Sequence, residues 1–300
     1  MVYGSQPYEP ADQPNPNGGN LRVRNLRIAV LIPDRGDRPE LLENCLRMIA
    51  AQTLQPVEVY VVGVFCNIKT TNEYIKTSLA IEPIGGVCDI TKRYRIGYNG
   101  LCEINCLRPF DLIALIENDD WYSPDYLERM AEQWVAAGEP DLFGTAYTMY
   151  YHVYQRGYFE FAHPDRASAM NTFIKPGLRI DWPADHDPYT DLSLWWNQGI
   201  ASSTATSAGE VLLRDQHLTP HPNGIRTKAT WHPLNTLGRH ISIGMKHGIG
   251  LCGGYNHTNK LNRYKHSDAD GLWLKHWLDA DSYAFYRGLG DTPTNPLKVG

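Results

Sequence analysis

Between residues 27 and 137 the chain alternates short, uniformly apolar runs with longer stretches whose apolar residues recur every three or four positions. The first run, within 27–33 (RIAVLIP), is rich in β-branched residues and too short for a helix. It predicts a strand buried on both faces of a parallel sheet. Asp34-Arg35-Gly36-Asp37-Arg38 follows as a polar loop, and Pro39 occupies a helix-start position. Leu42, Cys45, Leu46, Ile49 and Ala50 share one face, which predicts an amphipathic helix over 39–53. A second strand over 57–62 completes a βαβ unit, with its loops at the C-terminal edge of the strands.

The segment 91–106 reads as a helix and 111–116 as a third buried strand, which runs into Glu117-Asn118-Asp119-Asp120-Trp121-Tyr122. The next helix is expected to take Ser123 as N-cap and Pro124 at its first position, and to stop at Gly138. Aromatic and polar residues alternate over 141–162, as in an antiparallel hairpin added to the parallel sheet. Residues 163–240 read as loops with short elements, and 270–288 as a terminal helix. The organisation expected is a leader over 1–20, a nucleotide-binding α/β half over 21–140, and an acceptor-binding half over 141–290. The last of these includes a Gly-flanked flexible loop at 253–268, and a tail follows at 291–300. The fold class is α/β: a Rossmann-like, mostly parallel sheet with helices on both faces and an irregular C-terminal half.

Composition narrows the function little. A net charge of −5 over 300 residues supplies no field for non-specific nucleic-acid binding. A stripe of Lys246, His247, Lys260, Arg263 and Lys265 is the one candidate for local phosphate contact. Among aromatics, 18 Tyr and 8 Trp outweigh 7 Phe, a preference for amphipathic rings that suits stacking on sugars or bases. Trp121, Tyr122, Trp195 and Trp196 are candidates for such walls, or for ordinary core. Cys45, Cys66, Cys88, Cys102, Cys106 and Cys252 form no Cys-x-x-Cys pair, and read as small apolar side chains in a reducing compartment. With no apolar h-region at its start and no apolar run near 20 residues, the chain is expected to be cytoplasmic and free of membrane.

Candidate chemistry concentrates at Glu117-Asn118-Asp119-Asp120, three acids in four residues at the end of a buried strand. Crowded carboxylates raise one another's pKa, so the cluster implies a compensating cation. Oxygen ligands select Mg²⁺ or Mn²⁺. A solvated turn that caps the next helix is the bland alternative.

The order strand, Pro33-Asp34-Arg35 loop, Leu- and Cys-bearing helix, Gln52 turn, second strand, then ENDDWYSPDYLERM resembles the inverting GT-A glycosyltransferases of the family 2 type over residues 26–137. The resemblance implies a metal-dependent transfer of a sugar from a nucleotide-sugar, foremost a UDP-sugar, to an acceptor hydroxyl. It implies metal ligation by Asp119, with Glu117 on the metal or the ribose, and Asp120 and Asn118 beside the donor. Pro33, Asp34 and Arg35 would border the nucleoside, and Lys92 and Arg93 would lie near the donor. The general base would be Asp191, or else Asp187, with Glu210 a third candidate. His257 would complete the metal site, with His266 as its alternative, while Lys260 and Arg263 neutralise phosphate. The second strand departs from the family by ending Val61-Val62-Gly63-Val64, with no carboxylate to read a base. A glycan, a small molecule, a protein side chain or a modified DNA base all remain open as acceptor. A nucleotidyltransferase and a non-catalytic sugar- or nucleotide-binding module are the competing readings.

Overall fold

The computed structural model describes residues 19–63, 77–81, 88–163, 166–197, 227–230, 240–247 and 261–291. Its first half runs α1 (Gly19–Asn25), β1 (Ile28–Pro33), α2 (Pro39–Ala50), β2 (Glu58–Gly63), β3 (Thr77–Ala80), α3 (Ile90–Leu107), β4 (Leu112–Leu115), β5 (Trp121–Tyr122) and α4 (Tyr126–Ala136). There follow β6 (Leu142–Thr145), β7 (Tyr147–His152), β8 (Gly157–Ala162), β9 (Thr172–Ile174), α5 (Thr190–Asn197), β10 (Thr227–Thr230), β11 (Ser242–Lys246), β12 (His266–Ser267), α6 (Leu272–Trp277) and α7 (Ala280–Asp291).

Seven strands form the main sheet in the order β10-β6-β9-β4-β1-β2-β3. Every described pairing is parallel except those of β9, which runs against both β4 and β6. Strand β1 is completely buried, because alternate side chains enter two different cores. Ile28, Val30 and Ile32 pack with Leu42, Cys45 and Ile49 of α2 and with Leu127 and Met130 of α4. Ala29 and Leu31 pack with Tyr94, Tyr98 and Leu101 of α3. Helices therefore cover both faces of a mostly parallel sheet, the α/β architecture expected from its uniformly apolar strands. Helix α3 lies close because Gly97 has no side chain. A Cβ there would stand 2.3 Å from a Leu31 methyl.

The aromatic hairpin β7–β8 does not extend the parallel sheet as expected. It builds a second sheet, β12-β8-β7-β11-β5, while β6 and β9 join the first. Strand β7 is mostly buried on both faces, with Tyr147 and Tyr150 half-buried, and its alternating residues need two different surroundings. Helix α4 begins at Tyr126 with Asp125 as N-cap, not at Ser123. The Ser123 hydroxyl instead donates to the Asp125 carboxylate (2.7 Å). Gly138, at φ +81°, stops the helix as expected. The terminal helix is split into α6 and α7 at Leu278-Asp279, where the Asp279 carboxylate accepts the Ser282 N–H (2.9 Å) and restarts the helix. Cys88 is disulfide-bonded, against the expectation of reduced thiols throughout. Cys45, Cys102 and Cys106 are free. No helix among the described residues is long and apolar enough to cross a membrane.

Candidate functional site

Parallel strands bring their C-terminal ends to one edge of a sheet, and loops leaving that edge line the crevice. Strand β4 delivers the acidic turn there, and β1 delivers the loop from Asp34 to Arg38. Tyr122 fixes the turn from below, its hydroxyl accepting the Glu117 N–H (2.9 Å). Tyr286 of α7 donates to the Asp119 carbonyl (3.3 Å), and the Trp121 indole donates to Asp279 (3.2 Å). Behind it, the buried Gln52 amide donates to the Ser123 carbonyl (2.7 Å) and accepts the Leu127 N–H (2.9 Å). The end of α2 is thus pinned to the start of α4. An apolar helix face cannot announce such a brace, but a lone Gln at the end of that helix does.

One ligand oxygen each of Glu117, Asp119 and Asp120 lies within 4.8 Å of the others. Basic side chains crowd them. Arg38 donates to Asp119 Oδ2 (2.9 Å), and His247 Nε2 lies 3.1 Å from the same oxygen. Asp120 Oδ1 accepts the Met245 N–H (2.7 Å), with Lys246 Nζ 3.5 Å away. Burial pushes the Glu117 carboxyl well above the usual range, and the charge of Asp120 adds to it. Asp120 is pushed up to about 6, by burial first and then by Asp119, against the pull of Lys246. Although burial opposes it, Arg38 and the His247 hydrogen bond hold Asp119 well below the ordinary carboxylate value. The three acids thus divide into one held firmly ionised and two whose carboxyls are pushed above the ordinary range.

This division gives a testable sign. Folded Glu117 keeps a proton that the unfolded chain releases near pH 4.3, so the folded state binds more protons above that pH. Its contribution to stability therefore falls as pH rises from about 4.3 toward the raised value. Wild type should lose stability relative to Glu117→Gln between pH 5 and pH 7.5 in urea unfolding without metal. Parallel stability curves for the two proteins would remove the assignment.

The Asp34 N–H donates to the Val62 carbonyl (2.8 Å), and the buried Asp34 carboxylate accepts from Asn118 Nδ2 (2.7 Å). Asp34 Oδ2 lies 3.3 Å from where a Cβ on Gly63 would stand. The first loop thereby sets a carboxylate against the end of β2, the place where the sequence has none. Arg35 lies near Asp37 (3.5 Å) and Asp89 (3.9 Å). Pro33 ends β1.

No family model matches the chain, and no curated protein matches it. Among solved structures it is similar to S. aureus TarS. TarS 1–349 in complex with UDP aligns at 13% identity and a TM-score of 0.41, over 57% of this chain and 56% of that one. The same fragment in complex with UDP-GlcNAc gives 13% and 0.41, over 57% and 54%. TarS without that truncation gives 12% and 0.42, over 86% of this chain and 46% of that one. The chain spans about half the length of the structures it matches.

Asp191, in the first turn of α5, is half-buried, and its Oδ2 accepts from Arg166 Nε (3.1 Å). It lies within electrostatic range of Glu117. The other candidate base, Asp187, has both oxygens engaged at the start of α5. It accepts the Tyr189 N–H (2.8 Å) and the Ser193 hydroxyl (2.6 Å). That is a helix-entry role, so Asp187→Ala should cost about 1 kcal/mol of stability. Any transfer activity should stay within about twofold. A fall of a hundredfold in transfer with stability intact would reverse the assignment of Asp187 and Asp191.

Lys92 is half-buried, and its backbone N–H donates to Asp185 (3.3 Å). Arg93 is buried against Asp89 (2.8 Å) and the carbonyls of Val62 (3.4 Å) and Ile81 (3.3 Å). Its geometry is that of a brace between α3 and the end of β2. Arg263 is exposed on a short turn. Lys260, His257 and Glu210 lie outside the described residues, as do Cys66 and Cys252. His266 stacks on Tyr158 (5.0 Å), beside Trp277. Among the described residues, the imidazole at the acidic turn is that of His247. Lys246 and His247 turn to the acids, so they do not continue a basic stripe with Arg263 and Lys265. From the sequence, Arg38 was legible only as the polar end of a loop, and Lys246 and His247, at the end of β11 and just after it, only as part of a basic stripe. Trp121, Tyr122 and Trp195 are buried, core residues and not walls.

Proposed function

We propose that the chain is a metal-dependent inverting glycosyltransferase of the GT-A type, which moves a sugar from a nucleotide-sugar, foremost a UDP-sugar, to an acceptor hydroxyl. The observation that carries this reading is the convergence of Glu117, Asp119 and Asp120 with Arg38, Lys246 and His247 at the C-terminal edge of the sheet. A diphosphate suits a hard-ion site with basic hydrogen-bond donors beside it. Asp120 Oδ2 supports the metal, since it is buried and has no hydrogen-bond partner among the described residues. A carboxylate oxygen in that position suits Mg²⁺ or Mn²⁺, as do the other two acids. Asp119, Asp120 and Glu117 would hold the ion, which would supply charge stabilisation to the departing diphosphate.

The chain's own groups divide the remaining work. Arg38, Lys246 and His247 offer donors to phosphate oxygens, and their fixed positions require no reorganisation as charge develops. Asp34 and Asn118 border the nucleoside. Asp191 takes the proton of the attacking hydroxyl, held in place by Arg166. A thermal-shift screen of nucleotide-sugars with and without Mn²⁺ tests the reading. A UDP-sugar is expected to raise the unfolding midpoint only with the metal present, by the free energy of its binding to the folded chain. No shift with any nucleotide-sugar would overturn it.

A further inference from the structure

The second sheet presents two different faces. Met149 and Tyr151 of β7 and Ile243 and Met245 of β11 face the core shared with α6 and α7. The opposite face carries Tyr150 and His152 of β7, Phe159 and Phe161 of β8, and Lys246 of β11. On it Tyr150 and Phe159 stack (5.2 Å between centroids, 22° between planes), and Tyr264 meets Phe159 edge-on (4.9 Å). Phe161 remains 37% exposed. Tyr150 lies against β11 because residue 244 is glycine, where a Cβ would stand 2.5 Å from its ring.

Three observations indicate what covers this wall. It is continuous with the acidic turn: Lys246, beside Asp120, has its Nζ 5.5 Å from the Tyr150 ring centre. Tyr150 also lies within electrostatic range of Asp191. Apart from Thr148, cross-strand from Phe161, the residues of β7, β8 and β11 named on this face are aromatic, imidazole or cationic, unlike a surface built for a lipid or an apolar helix. Finally, two buried polar atoms beside the wall, Tyr264 Oη and His152 Nε2, have no hydrogen-bond partner among the described residues, and their rings meet edge-on at 5.2 Å. Aromatic faces flanked by unmet hydrogen-bonding groups match a ring that is apolar on its face and hydroxylated at its edge.

We propose that the wall of Tyr150, Phe159 and Phe161, with Tyr264 and His152 at its edge, is the acceptor subsite, and that the acceptor is a carbohydrate. Its role as acceptor rests on the glycosyl-transfer reading; its affinity for pyranose rings does not. The test is saturation-transfer NMR of the full chain with methyl β-D-glucopyranoside, methyl β-D-galactopyranoside, methyl α-D-mannopyranoside and N-acetylglucosamine, without nucleotide. At least one should bind wild type, and Phe161→Leu should weaken it about tenfold, as should Phe161→Ala. The leucine keeps apolar bulk on an exposed position and removes only the aromatic face. Binding undiminished in the leucine variant, or no pyranoside bound by wild type, overturns the proposal. Binding of phosphatidylglycerol vesicles that survives Phe161→Leu and falls with Phe161→Ala would overturn it in favour of a lipid. Pyranoside binding without any Mn²⁺-dependent response to nucleotide-sugars would uphold the sugar site and overturn glycosyl transfer. Donor hydrolysis without pyranoside binding would do the reverse.

Discussion

Asp191→Asn should lower the rate of sugar transfer by roughly a hundred- to ten-thousand-fold while the donor still binds. The amide keeps the shape of the side chain and can still accept from Arg166, whose Nε lies 3.1 Å from Asp191 Oδ2. What it removes is the capacity to take a proton. Asp191 stands in the first turn of α5, paired with Arg166 and not, among the described residues, with the acids that would grip the diphosphate. The two functions are therefore separable. Nucleoside diphosphate release in the presence of acceptor gives the rate, and the donor-induced shift of the unfolding midpoint gives the binding. A variant within tenfold of wild type would dismiss Asp191 as the base.

Asp119→Asn should act at the opposite end of the reaction. It removes the one acid of the cluster that is held ionised, so metal-dependent donor binding should disappear and kcat/KM should fall about a thousandfold, equivalent to about 4 kcal/mol of transition-state stabilisation. Arg38 and His247 would also lose the charge they share. Breaking one partner of a largely buried pair costs about 3–5 kcal/mol, so the midpoint should drop as well. The two effects are distinguished by Mn²⁺ titration at a temperature where the variant is folded. Unchanged Mn²⁺ affinity in the folded variant would take Asp119 out of the metal site.

Much of this was visible in the residue pattern. Uniformly apolar runs such as Ile28–Pro33 can be buried only in a sheet covered on both faces, and helices spaced by such runs supply the cover. The acids of Glu117–Asp120 were conspicuous because a chain does not crowd charge at a buried strand end without cause. Their partners were not conspicuous. Arg38 precedes Asp119 by 81 residues and His247 follows it by 128, and no local spacing records such a meeting. The histidine favoured from the sequence, His257, lies outside the described residues, whereas His247 follows directly on a strand, β11, that pairs with β5 immediately after the acidic turn.

The aromatic hairpin shows the same boundary. Alternation over 147–162 specified two strands and two faces, because successive side chains on a strand point in opposite directions. It did not specify which sheet they would join, nor which face would meet the acids. Those follow from β11, whose pairing with both β5 and β7 sets Lys246 beside Asp120 and brings the Tyr150 face to the site. The chain's own pattern thus determined its layers, its buried strands and the position of its acidic turn, all consequences of short-range periodicity. Only the tertiary structure decided which cations balance those acids, which aspartate is occupied at a helix start, and which aromatics stay open. Each depends on contacts between residues scores of positions apart, set by how the two sheets are joined.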